Sequence, residues 1–121
     1  MPTSLYHLVQ NLNTELVIPE NGIISRTIHQ DDQLKVMLFG FSNGHEMSEH
    51  TAPVPAIMHF LQGRAEITLG VEKSNAGEGA WVHMAANLPH SILAKSPVLM
   101  LLILVKMQVA VAPLPAAHTA V

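Results

Sequence analysis

The sequence predicts an all-β fold, and three observations carry that prediction. Short runs rich in Ile, Val, Leu, Phe and Met recur through the middle of the chain. Turn-forming Gly, Pro, Asn and Asp punctuate these runs at regular intervals, as in a β-sandwich or barrel. Ala65, Ile67 and Leu69 alternate with Glu66 and Thr68, the two-residue period of a strand with one buried and one wetter face.

Residues 1–22 form a lead-in. Leu5, Leu8 and Leu12 are spaced to permit one short helix, which residues 11–14 weaken. Pro19 and Asn21-Gly22 then make a turn. Residues 23–30 form the first strand, Asp31-Asp32 turns the chain, and residues 34–41 form a second, strongly apolar strand. Ser42-Asn43-Gly44 is the next reversal, because Asn-Gly accepts the positive φ values a tight turn requires.

Residues 50–52 are expected as a short strand, interrupted by Pro53 and Pro55, which donate no ladder hydrogen bond. Strands follow at 56–61 and 64–69, joined by Gln62-Gly63. Residues 70–79 are expected as a glycine-containing connection and residues 80–84 as a short strand. Asn87-Leu88-Pro89 turns into a strand at 90–94, Ser96-Pro97 breaks it, and residues 98–109 form the longest and most apolar strand. In residues 110–121, Pro113 and Pro115 prevent a regular element, leaving a loose tail or an arm laid across a partner subunit.

The chain's 121 residues suffice for one hydrophobic core. A net charge of −3 offers no electrostatic footprint for nucleic acid or an anionic membrane, so neither is expected as a partner. With no cysteine, any metal has to be held by imidazole and oxygen ligands. Residues 1–10 lack the pattern of a secretory signal, and the run from Pro97 ends at Lys106, short of a membrane span, so a cytoplasmic location is expected. A hydrophobic content of 49% against 12% charged residues is more apolar than one small core absorbs, which predicts a homodimer.

Gly44, His50 and Gly63, followed by Gly79 and His90, lie at the spacings of two motifs, and the chain here resembles the cupin family over about residues 23–109. The resemblance implies a conical antiparallel barrel of jelly-roll type (a double-stranded β-helix), usually dimeric, with an interior pocket. It also implies a divalent metal, Zn, Fe, Ni or Mn, held by three residues of the first motif and one of the second. Only His50 and His90 occupy those ligand positions. Ala52 stands where the second histidine of the first motif belongs, and Ala56 where its glutamate belongs. Ala85, Asn87 and Ala94 replace the Pro, second Gly and Asn of the second motif.

Two imidazoles alone hold a metal weakly, since catalytic sites commonly use three protein ligands and an open position. The candidates for a third ligand are Glu46, Glu49, His45 and His59. Glu46, four residues before His50, has matching parity. Glu49, as the neighbour of His50, reaches the same face only through a bulge. His45 reads as a loop histidine. Counting from Ala56 turns His59 outward, toward another sheet or a dimer interface, and His83 away from the pocket. His7, His29 and His118 lie outside the motifs. Met47, Met58, Phe60 and Met84 are expected to line the pocket with Ala52, Ala56, Ala65, Ile67 and Val82. A methionine-lined wall suits plain core packing or an apolar or partly aromatic ligand.

The expected function is small-molecule binding or sensing in the barrel with a reduced or absent metal site. The alternative is a metal-dependent dioxygenase or isomerase with His50 and His90 as ligands and Glu46 or Glu49 completing the site. A third reading is a structural module of an assembly.

Overall fold

The computed structural model describes residues 4–106. Nine strands build two antiparallel sheets that face each other. They are β1 (Ile23–Gln30), β2 (Leu34–Phe41), β3 (Glu46–His50), β4 (Ala56–Gln62), β5 (Ala65–Leu69), β6 (Glu72–Ala76), β7 (Trp81–Met84), β8 (His90–Ala94) and β9 (Val98–Val105). The first sheet has the order β1-β2-β9-β4-β7 and the second β3-β8-β5-β6. Crossing between the sheets brings β3 beside β8, so the two motif histidines meet although 40 positions separate them in sequence. The strand rhythm predicts such an all-β barrel, and its two facing antiparallel sheets are the architecture that the resemblance implies.

The core follows from alternation along the strands. Phe41 on β2, Met58 and Phe60 on β4, Met84 on β7, Ile92 on β8 and Met100 on β9 are each at most 2% exposed and pack into one interior cluster. Each such side chain contributes roughly 1.5–3 kcal/mol on leaving water. Leu38, Leu99 and Leu101 point from the opposite face of the first sheet and form a second cluster with Leu12, Leu16 and Ile18. The lead-in is therefore the cover of that outer face. A Cβ placed on Gly40 would come 2.6 Å from Leu16 Cδ2 and 3.3 Å from Ile18 Cα, which shows how closely the lead-in lies on β2.

Four expectations are corrected. The strand expected at 50–52 lies at Glu46–His50, because the ladder with β8 ends at the His50–His90 pair before the chain reaches Pro53. The connection expected over 70–79 contains β6, hydrogen-bonded to β5 from Leu69↔Glu72 to Ala65↔Ala76. It is a sheet edge with four exposed residues and one buried one, Ala76, so it carries almost no apolar pattern. The helical turn of the lead-in is a 3-10 segment at Leu12–Thr14, where Asn11 starts it by accepting from Asn13 N–H at 3.0 Å. The last strand ends at Val105 among the described residues; the expected strand beyond 106, the arm at 110–121 and His118 lie outside them.

Two turns hold the motif segments in place. Gly63 has φ +85, and a Cβ there would lie 1.9 Å from the Pro97 carbonyl oxygen, so that motif glycine is sterically required. Asn87, which replaces a motif glycine, has φ +68, a left-handed conformation that asparagine tolerates better than most residues. Its N–H donates to the Ala52 carbonyl at 2.7 Å, joining the second motif's turn to the first motif's chain.

Candidate functional site

His50 and His90 face each other across the β3–β8 ladder as direct Cα partners. Their ring centroids are 4.3 Å apart and the rings are tilted by 56°. His90 is buried, at 6% exposure, while His50 is exposed, so the pair opens at one end of the barrel. Each ring is fixed by its own backbone: His50 Nδ1–H donates to Ser48 O at 2.7 Å and His90 Nδ1–H to Leu88 O at 2.8 Å. A carbonyl only accepts, so both Nδ1 atoms carry hydrogen and, in the neutral rings, both Nε2 atoms keep a free lone pair. No buried side-chain nitrogen or oxygen among the described residues lacks a partner. Nε2 of His90, which makes no hydrogen bond there, therefore reaches solvent.

A β-bulge aims His50 at this position. Met47 pairs with Ile92 and His50 with His90, so three steps along β3 match two along β8. Met47, Ile92 and Ala94 all belong to the interior cluster, which puts His50 on the interior face as well. The same bulge overturns the parity argument for Glu46: it pairs with Leu93 and takes the outer face, opposite Met47.

The other candidate ligands do not join the pair, and no group of three or more metal-capable His, Cys, Asp or Glu side chains exists among the described residues. Glu49 lies in the bulge and is exposed. His45 sits near the far end of β8, where its carbonyl accepts from Ala94 N–H and its Nδ1 lies 2.7 Å from Ser42 Oγ. His59 pairs with Trp81 and Leu101, between the interior-facing Met58 and Phe60, and so faces outward. His83, between the interior residues Val82 and Met84, also faces outward. The donor set is thus half of the four-ligand site that the resemblance implies: Ala56 is buried in the interior and Ala52 is half-buried, and neither offers a ligand. These residues do not fit a tightly held catalytic metal.

Of the expected pocket residues, Met58, Phe60 and Met84 are buried in the interior cluster and Met47 is half-buried at its edge. Two hollows lie elsewhere. One of about 510 Å³ is lined by Arg64, Ala65, Asn75, Ala76, Gly77 and Lys95, bringing two cations together. The other, about 780 Å³, lies between residues 4–12 and the β1–β2 hairpin. Three side chains join there: His7 Nδ1 is 3.0 Å from His29 Nδ1, and His29 Nε2 is 2.8 Å from Asp31 Oδ2. Sequence reasoning missed this group because 22 positions separate its histidines and no motif spans them.

Two antiparallel sheets around an apolar interior, with paired histidines at one end, define a small barrel of the cupin class. A conserved protein of unknown function from Streptococcus pyogenes is 33% identical, covering 86% of this chain and 91% of that one, with a TM-score of 0.76. A cupin superfamily protein from Desulfitobacterium hafniense is 27% identical over 85% of this chain and 98% of that one, also with a TM-score of 0.76. A Cupin 2 conserved barrel domain protein from Leptotrichia buccalis is 27% identical over 79% of this chain and 47% of that one, with a TM-score of 0.74. No family model and no curated protein matches the sequence. The chain belongs to the cupin superfamily. No helix among the described residues is long and apolar enough to cross a membrane.

Proposed function

We propose that this chain is a small-molecule-binding cupin in which His50 and His90 orient the ligand at the barrel's open end and no tightly held metal takes part. The observation that carries this reading is the pair itself: two rings with centroids 4.3 Å apart, each with its Nε2 freed by an Nδ1–H bond to a backbone carbonyl, and no group of three metal-capable side chains among the described residues. Such a pair accepts hydrogen bonds from a ligand's hydroxyl or amide N–H. Met47 and Met84 would yield around its apolar body, because thioether side chains change rotamer at little cost. The dioxygenase or isomerase reading loses its best carboxylate with Glu46 on the outer face.

Metal analysis of protein purified without chelator, paired with indole titration followed at the methionine methyl resonances, tests the reading. Metal far below one equivalent and saturable shifts at Met47 and Met84, abolished in His50→Ala and His90→Ala, are expected. One equivalent of metal that is lost in both variants would establish the enzyme-type site instead.

The chain is further proposed to act as a homodimer, through the outer face of β4 and β7. Trp81 is 60% exposed there beside His59, and Ile57 pairs with His83. A large exposed aromatic is a common anchor of a protein interface. Sedimentation should give twice the chain mass, and a monomer at high micromolar concentration would refute it.

A further inference from the structure

The cavity outside the barrel is built around a directed hydrogen-bond chain. Asp31 starts it. Oδ1 accepts from Gln33 N–H and Leu34 N–H, both at 2.8 Å, and Oδ2 faces His29 Nε2 at 2.8 Å. The His29 hydrogen bond, followed by those two backbone N–H groups, lowers the Asp31 carboxyl to about 2, so it is a carboxylate and only accepts. His29 must therefore carry its hydrogen on Nε2. In the uncharged ring that leaves Nδ1 as an acceptor, and the contact with His7 at 3.0 Å requires His7 to donate from Nδ1. His7 Nε2 is left with a lone pair, and no hydrogen bond among the described residues uses it.

The fold supplies this arrangement by a specific device. Thr27 pairs with Met37 but His29 pairs with Val36, so Ile28 is an extra residue in β1. Without that bulge His29 would share the side of Phe39 and Phe41, toward the interior; with it, His29 turns outward with Val36, toward the lead-in. Val9, Leu12, Ile28, Leu34 and Val36 give the cavity apolar walls; Ser4 and Tyr6 add hydroxyl groups at its lead-in side, the Ser4 hydroxyl donating to Tyr6 O at 2.8 Å, and the His7–His29–Asp31 chain is its connected polar group. Its volume of about 780 Å³ is in the range of small-molecule pockets.

We infer that this cavity is a second ligand site, separate from the His50–His90 pair, for an apolar molecule bearing one hydroxyl donor, a phenol being the best fit, with His7 Nε2 accepting its O–H. The chain of hydrogen bonds makes the preference one-directional. An ether or ketone of the same shape has no hydrogen to donate and leaves the His7 lone pair without a partner. Because Asp31 sets the direction of the chain, it sets the preference from two residues away. In Asp31→Asn the amide oxygen can still accept from Gln33 and Leu34, while its NH2 donates to His29 Nε2. His29 then carries hydrogen on Nδ1, His7 accepts there, and His7 Nε2 becomes a donor.

The test compares 4-ethylphenol with its methyl ether, 4-ethylanisole, by NMR titration of the full chain, following the histidine ring signals. Wild type should bind the phenol about tenfold more tightly than the ether, the scale of one hydrogen bond, with the His7 and His29 signals moving. Asp31→Asn, with an unchanged strand amide spectrum, should lose that preference, and His7→Phe should lose it too while keeping the apolar contacts. Equal binding of the two compounds, no binding, a preference that survives in Asp31→Asn, or shifts confined to His50 and His90 would each overturn the inference. The last outcome would leave the barrel site standing.

Discussion

Two histidine pairs occupy opposite surfaces of the same small barrel, and each owes its position to a β-bulge. On β3 the bulge turns His50 inward to meet His90; on β1 it turns His29 outward to meet His7. The pairs differ in what holds the Nδ1 and Nε2 atoms. In the inner pair two backbone carbonyls each take an Nδ1–H, so both rings present lone pairs and act in parallel. In the outer pair a carboxylate takes the Nε2–H of one ring and that ring takes the hydrogen of the next, so the rings act in series. Two imidazoles in parallel resemble part of a metal site. Two in series pass the polarity of one carboxylate to a distant nitrogen.

The sharpest way to break the comparison is to complete the inner pair as a metal site. Ala52→His with Ala56→Glu restores the missing donor types, Ala56 lying in the interior and Ala52 beside the turn that precedes His90. The double variant should bind Zn or Ni stoichiometrically, at least about a hundredfold more tightly than wild type, because three or more protein ligands define a tight site. Without metal it should melt lower, since an unpaired carboxylate at position 56 costs at least about 2 kcal/mol in apolar surroundings. A calorimetric melting curve with and without metal reads both effects. The same ions should leave the His7 and His29 ring signals unmoved.

A middle-sized effect separates the pairs through the lead-in. Gly40→Ala forces the new methyl against Leu16 and the backbone at Ile18. Leu16 can swing away but the backbone contact at 3.3 Å cannot, so the lead-in should lift at a cost of about 1–2 kcal/mol, the range for overpacking. His7 depends on the lead-in for its place and His90 does not. Hydrogen exchange should quicken over residues 12–18 with no change at β8, and the preference for phenol over its ether should fall while the inner pair keeps its ring signals. Faster exchange spread evenly over both sheets would mean that the lead-in and the barrel open as one unit.

The difference between the pairs also explains what was legible in the sequence. The strands 23–30, 34–41 and 90–94 stood out because apolar runs are cut by Gly, Pro and Asp at both ends, and the structure places all three at those bounds. The inner pair was legible for the same reason: His50 and His90 sit at fixed distances from Gly44, Gly63 and Gly79. Strand β6 was not, since an edge strand of Glu, Lys, Ser and Asn buries too little to leave a pattern. Neither bulge was legible. The bulges at Ile28 and at Ser48-Glu49 carry no Gly or Pro to mark them, yet each reverses every side assignment that follows. Parity counting therefore put Glu46 on the face of His50, and it overlooked His29, whose role depends on a bulge and on a partner in the lead-in.

The smallest effect comes from the carboxylate that distinguishes the outer pair. Asp31 titrates near 2 in the folded chain and near 3.8 when unperturbed, the His29 hydrogen bond being the first cause and the Leu34 and Gln33 N–H groups the next. A depressed folded-state value means that the unfolded chain binds the proton first on acidification. The contribution of Asp31 is thus complete above about pH 4, declines as pH falls from 3.8 toward 2, and is gone below that. Asp31 lies at the surface, where solvent screening keeps the effect small. Comparing wild type with Asp31→Asn by urea melts at pH 7 and at pH 2 isolates it: the stability difference should shrink toward acid, because the protonated Asp31 no longer differs from the amide in charge. A difference between wild type and Asp31→Asn that stays constant from pH 7 to pH 2 would mean that Asp31 serves only as the acceptor of the β1–β2 turn, with no share in orienting the histidines.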